Sequence, residues 1–178
     1  MYQITIPVKP FVAKYIYARY RQNVWQIDRK DRIGKIMFNM LERVPRGPLQ
    51  PPPELGAQLP VRIIYQYAQN KGVYISNRSI MEFNEQIQQE LIEEIALYAN
   101  RLQNHVGIKK YDELYINQTS AYGRSRTRAI INPDVKQYFE TKEIIHDIFK
   151  QYDITEDDYP YENIKKQLRR LKLPMLSN

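Results

Sequence analysis

A chain of 178 residues, 43% apolar and 26% charged, is long enough to bury a core and too apolar to stay disordered; it carries a formal net charge of +7. Cysteine is absent, which excludes disulfides, thiol nucleophiles and thiolate metal sites, and no run approaches the roughly 18 apolar residues of a bilayer span. The basic balance favours an acidic partner such as nucleic acid.

The surplus is uneven. Residues 1–60 hold ten Lys/Arg against four Asp/Glu, whereas residues 107–178 hold thirteen against eleven, sorted into blocks. The opening Met1-Tyr2-Gln3-Ile4-Thr5-Ile6 alternates like a half-buried strand and lacks the blocks of an export signal, so a cytoplasmic location is expected. Pro10 suits the first turn of a helix to about Arg21, with Val12, Ile16 and Tyr20 on one stripe; Lys14, Tyr15, Tyr17, Arg19 and Arg21 fall on the other faces.

Val24 to Ile27 reads as a short strand or extended link. Asp28 can cap a helix to about Arg43 whose apolar stripe holds Ile33, Ile36, Met37, Met40 and Leu41. Arg29, Lys30, Arg32 and Lys35 lie at its start, where cations oppose the helix dipole; either an anion partner or a solvated face accounts for them. Residues 45–60 hold six of the eleven prolines and form a semi-rigid loop.

Val61 to Tyr67 and Val73 to Ile75, joined through Gly72, predict a hairpin. Ser79 and Glu82 have capping-box spacing, and Gly107 supplies a stop; Ile80, Phe83, Ile87, Leu91, Ile95, Tyr98, Leu102 and Val106 between them step by three or four. Such a helix is about 40 Å long. Met81, Ile92 and Leu97 widen its apolar surface, which makes a homodimer a reasonable expectation.

In Gly123-Arg124-Ser125-Arg126-Thr127-Arg128, an extended backbone would project all three arginines to one side, interleaved with hydroxyls that also donate to phosphate. An edge strand protected by charge is the plainer alternative. Asn132-Pro133 starts a helix with Val135, Tyr138, Phe139, Ile145, Ile148, Phe149 and Tyr152 on its apolar face, with a break near Thr141. Thr155 and Asp158 frame one capped turn. Pro160 then opens a last helix with Tyr161, Ile164, Leu168 and Leu171 inward and Lys165, Lys166, Arg169, Arg170 and Lys172 outward.

Catalytic signatures are sparse. Pro133-Asp134 with Glu140-Thr141-Lys142 matches letters of a metal-dependent nuclease signature, but that chemistry needs carboxylates from adjoining strands, so the match is read as accidental. Glu143-x-x-His146 has the form used twice in di-iron bundles, and a second copy is missing. No enzymatic activity, cofactor or metal is expected.

Residues 141–172 resemble helix-turn-helix regions of small DNA-binding proteins, including accessory proteins of prophages and other mobile elements. The resemblance implies that the helix from Pro160 enters a major groove while the preceding one braces the backbone. The connection of 153–159 is longer than usual, and Glu156, Asp157 and Asp158 sit where base contacts normally fall.

The expectation is therefore an α+β protein. A small antiparallel sheet packed by a long helix occupies residues 1–106, and a helical C-terminal module occupies 107–178. The expected function is non-catalytic binding of nucleic acid, DNA favoured and membranes not, through Arg124, Arg126, Arg128, Lys165, Lys166, Arg169 and Arg170. The alternative is a structural or protein-interaction module, self-associating or bound to an acidic partner.

Overall fold

The computed structural model describes residues 1–104 and 141–170. Three strands and six helices are present among them: β1 (Tyr2–Val8), α1 (Pro10–Tyr20), β2 (Trp25–Gln26), α2 (Arg32–Met40), β3 (Ala57–Ile63), α3 (Tyr65–Lys71), α4 (Asn77–Asn104), α5 (Thr141–Tyr152) and α6 (Tyr161–Arg170). The class is α+β, with the long helix α4 packed against the sheet, as expected.

β3 is the central strand. It runs antiparallel to β1, from Tyr2 opposite Ile63 to Val8 opposite Ala57, and parallel to the two residues of β2. Leu59, Val61 and Ile63 are buried and alternate with half-exposed Pro60 and Arg62, the period of a strand with one face on a core. Trp25 of β2 is fully buried, with Tyr20 and Phe83 rings at 5.5 and 6.0 Å.

The expected hairpin is not part of this sheet, and a parallel strand takes its place, so the sheet is mixed. Tyr2 and Ile63 form the terminal pair, and beyond Ile63 the backbone pairs with no strand among the described residues. It turns into α3 instead, with the amides of Tyr67 and Ala68 donating to the Ile64 carbonyl. Residues 73–75 contribute one bridge only, Tyr74 to Glu42. Gly72 enables that bridge: its φ of 102° suits glycine, and a Cβ there would fall 2.1 Å from the Glu42 carbonyl oxygen.

The caps also shift. Asp31, not Asp28, caps α2, its carboxylate accepting from the Gly34 amide at 2.9 Å, while Asp28 holds the preceding turn through the Lys30 amide. α2 stops at Met40, three residues before the expected end. At α4 the cap lies one turn earlier than Ser79: the Ser76 hydroxyl oxygen accepts from the Ser79 amide, and the Glu42 carboxylate accepts from both serine hydroxyls. Gly107 and the helix start at 132–133 lie outside the described residues, as does the expected boundary at 106–107.

One apolar cluster runs from Ile6 to Leu168 and takes in Ile144, Ile145, Ile148, Phe149 and Tyr152 of α5 with Ile164 and Leu168 of α6. Helix α1 belongs to it on two sides. Tyr15, placed by its spacing on an outer face, is 1% exposed and meets Tyr152 with ring centroids 4.7 Å apart; Phe11 stacks on Tyr159 at 4.5 Å. Asn84, fully buried on α4, accepts from the Lys9 amide and donates to the Ile80 carbonyl, each at 2.8 Å, so the β1–α1 junction leaves no orphaned donor there. Ile92 is likewise buried, whereas Met81 and Leu97 stay exposed.

Candidate nucleic-acid interface

The C-terminal pair is positioned by polar contacts as well as by its core. Tyr15 donates to one Glu94 oxygen at 3.0 Å and Tyr152 donates to the other, so one carboxylate of α4 joins α1 to α5. Arg19 donates to the Tyr15 oxygen at 3.0 Å and lies 4.0 Å from the same carboxylate. Burial, with Glu94 adding to it, pushes the Tyr15 and Tyr152 phenols well above the ordinary range, and burial lifts Tyr159 to about 12.

The turn between α5 and α6 is built from its acids. Asp153 takes a left-handed φ of 53° and closes α5, with the Ile154 amide donating to the Phe149 carbonyl. Asp158 accepts from the Thr155 amide, the Thr155 hydroxyl and the Lys14 ammonium, each at 2.7 Å. Burial works to raise the Asp158 carboxyl, but these donors outweigh it and hold its pKa below the ordinary carboxylate value; the same bond raises Lys14. Glu156 accepts from the Tyr161 amide at 2.9 Å and so caps α6. Two of the three acids that oppose a phosphate thus have structural roles, and the charge of Asp158 is matched within the chain.

On α6, Ile164 and Leu168 are buried, and Glu162, Asn163, Lys166 and Arg170 are exposed. Lys166 and Arg170 form the basic end of that stripe. Lys165 is half-buried, 3.9 Å from Glu162 with its ammonium 5.7 Å from the Tyr161 ring centre. Arg169 lies on α6 with only its backbone described. Arg170 also lines a cleft of about 280 Å³ between α4 and α6, with Glu85, Gln88, Gln89, Ile92 and Gln167. Arg124, Arg126 and Arg128 lie outside the described residues, as do Pro133, Asp134 and Glu140 of the nuclease-like letters.

A second basic surface surrounds α2 and α3, and the sequence pattern shows only half of it. The Arg29 guanidinium lies 4.4 Å from the Phe38 ring centre and 5.8 Å from that of Tyr67; the Lys71 ammonium, 42 residues further along, lies 5.8 Å from the same Phe38 centre. Phe38 and Tyr67 meet edge to face at 4.9 Å. Lys30, Lys35, Arg43 and Arg46 are exposed nearby in the chain. Arg32 differs, because Glu90 and Glu93 of α4 hold it at 2.6 and 3.8 Å.

Among the described residues no group of three or more His, Asp and Glu is placed to hold a metal ion, and no helix is long and apolar enough to cross a membrane. Comparison with family models, curated proteins and solved structures returned no match.

Proposed function

We propose that the chain is a non-catalytic nucleic-acid-binding protein with duplex DNA as the favoured partner, acting as a regulator or mobile-element accessory factor. The supporting observation is how the chain uses its own carboxylates. Those that pair with cations hold Lys14, Arg19, Arg32 and Lys165. Arg29, Lys30, Lys35, Arg43, Arg46, Lys71, Lys166 and Arg170 are exposed, and none of them pairs with a described carboxylate. Cations left over in this way are what a polyphosphate backbone neutralises, and releasing its counterions drives binding.

The test is fluorescence anisotropy of a labelled duplex across a salt series. The slope of log affinity against log salt is expected near −0.9 per neutralised phosphate, and changing Arg124, Arg126 and Arg128 together to Ala is expected to flatten it. Absence of duplex binding at low salt removes the proposal. A second reading, self-association through α4, is favoured by Leu97, 59% exposed and two residues past the buried Ile95; light scattering on the purified chain decides it.

A further inference from the structure

The geometry points to the Arg29–Phe38–Tyr67–Lys71 cluster as a phosphate clamp, with α3 beside it as the element that contacts bases; this rests on the nucleic-acid reading above. Two cations share one ring. Their distances from the Phe38 centre place them within about 10 Å of each other, roughly one Debye length at 0.1 M salt, so each feels the other's charge. The acids near Arg29 and Lys71 in sequence or through Gly72 accept neutral donors and keep their charge: Asp31 takes the Tyr20 hydroxyl and the Gly34 amide, Glu42 takes Ser76 and Ser79, and the exposed Asp28 holds the Lys30 amide; none of them forms an ion pair with Arg29 or Lys71.

Covering Phe38 is a sufficient reason for one long basic stem, since such stems commonly lie over apolar surface. It does not account for two like charges brought together from a turn and a helix end. A polyanion that reaches both cations meets donors already held by the rings, at a reduced entropic cost. The fold fixes this arrangement. Gly72 ends α3 at Lys71 against the backbone of Glu42 and Arg43, which places the Arg43 backbone beside the end of α3.

α3 has no buried residue, and it exposes Gln66, Gln69 and Asn70 at positions i, i+3 and i+4, on one face. Amide side chains on an exposed helix can pair bidentately with adenine in a major groove, while flanking cations hold the backbone. Tyr65, 56% exposed, stacks on Tyr2 at the end of the same element.

The experiment compares the parent chain with R29Q/K71Q and Q66A/Q69A/N70A on labelled A·T-rich and G·C-rich duplexes over a salt series, with circular dichroism confirming that each variant is folded. R29Q/K71Q keeps polar stems over Phe38 and is expected to make the salt slope shallower by about two, with each single variant contributing about one. The amide variant is expected to keep the slope and lose preference for the A·T-rich duplex. A parent that binds while R29Q/K71Q retains its full slope overturns the clamp and leaves the nucleic-acid reading standing. An unchanged base preference in the amide variant overturns the role of α3. A parent that binds neither duplex at low salt overturns both the clamp and the reading it rests on.

Discussion

Replacing Glu94 with Ala removes the acceptor of two buried tyrosine hydroxyls at once. A hydrogen bond to a charged group contributes about 1.5–3 kcal/mol, and removing one side leaves the other to bear its own desolvation. The Glu94 side chain is 30% exposed, so water can replace part of what is lost, and the lower end of that range applies to each bond. The two together give a destabilisation of about 3 kcal/mol. In urea this corresponds to a fall in midpoint of about 1–1.5 M, since slopes for chains of this size are about 2–3 kcal/mol per molar. The assay is a double-mutant cycle with Tyr152→Phe, which keeps the ring against Tyr15 and deletes only the hydroxyl. A coupling of about 1.5 kcal/mol is expected; effects that add within about 0.5 kcal/mol would refute a shared carboxylate as the joint between α1, α4 and α5.

Three further outcomes follow from individual contacts. Gly34→Ala would gain about 1 kcal/mol at an ordinary helix position, but a Cβ here would lie 2.1 Å from the Asp28 carbonyl oxygen, so thermal melts should show a net loss of about 1–2 kcal/mol. Asn84→Leu strands the Lys9 amide in the interior and should cost about 1–3 kcal/mol, while the exposed Asn163→Leu on α6 should leave the melting temperature unchanged. The Asp158 pKa is lowered on folding, so its contribution is present above the ordinary carboxylate pKa and disappears as pH falls through the folded value. Lys14→Met should therefore weaken the acid dependence of stability below about pH 4, and acid titrations that superimpose on those of the parent would contradict the pairing.

Where an element's signal is local, the sequence shows it. Pro10 at the start of α1, the long stripe of α4, the Thr155–Asp158 turn and Pro160 before α6 depend on residues within a few positions of one another. Residues 65–71 are different. Tyr65 and Tyr67 alternate as a strand would, yet they lie past the Tyr2–Ile63 end of the β1–β3 ladder and are helical. Asp28 and Asp31 are equally good caps by type; the close approach of Gly34 to the Asp28 carbonyl accompanies a turn at 28–31 and a helix from Arg32. The two parallel residues of β2 meet β3 across an intervening helix and proline-rich loop, which no local period encodes. The candidate interface divides in the same way. Lys166 and Arg170 were legible from helical spacing, whereas Arg29 and Lys71 share the Phe38 ring because the fold carries α3 back to it.

Phe11 and Tyr15, near one end of the chain, have Tyr159 and Tyr152, near the other, as their ring partners. During synthesis those partners emerge more than 130 residues after α1, which until then carries an uncovered aromatic face. Contacts this distant in sequence slow folding and prolong the exposure of sticky surface. A chain ending before residue 141 should consequently be prone to aggregation even though it holds all three described strands and the described length of α4.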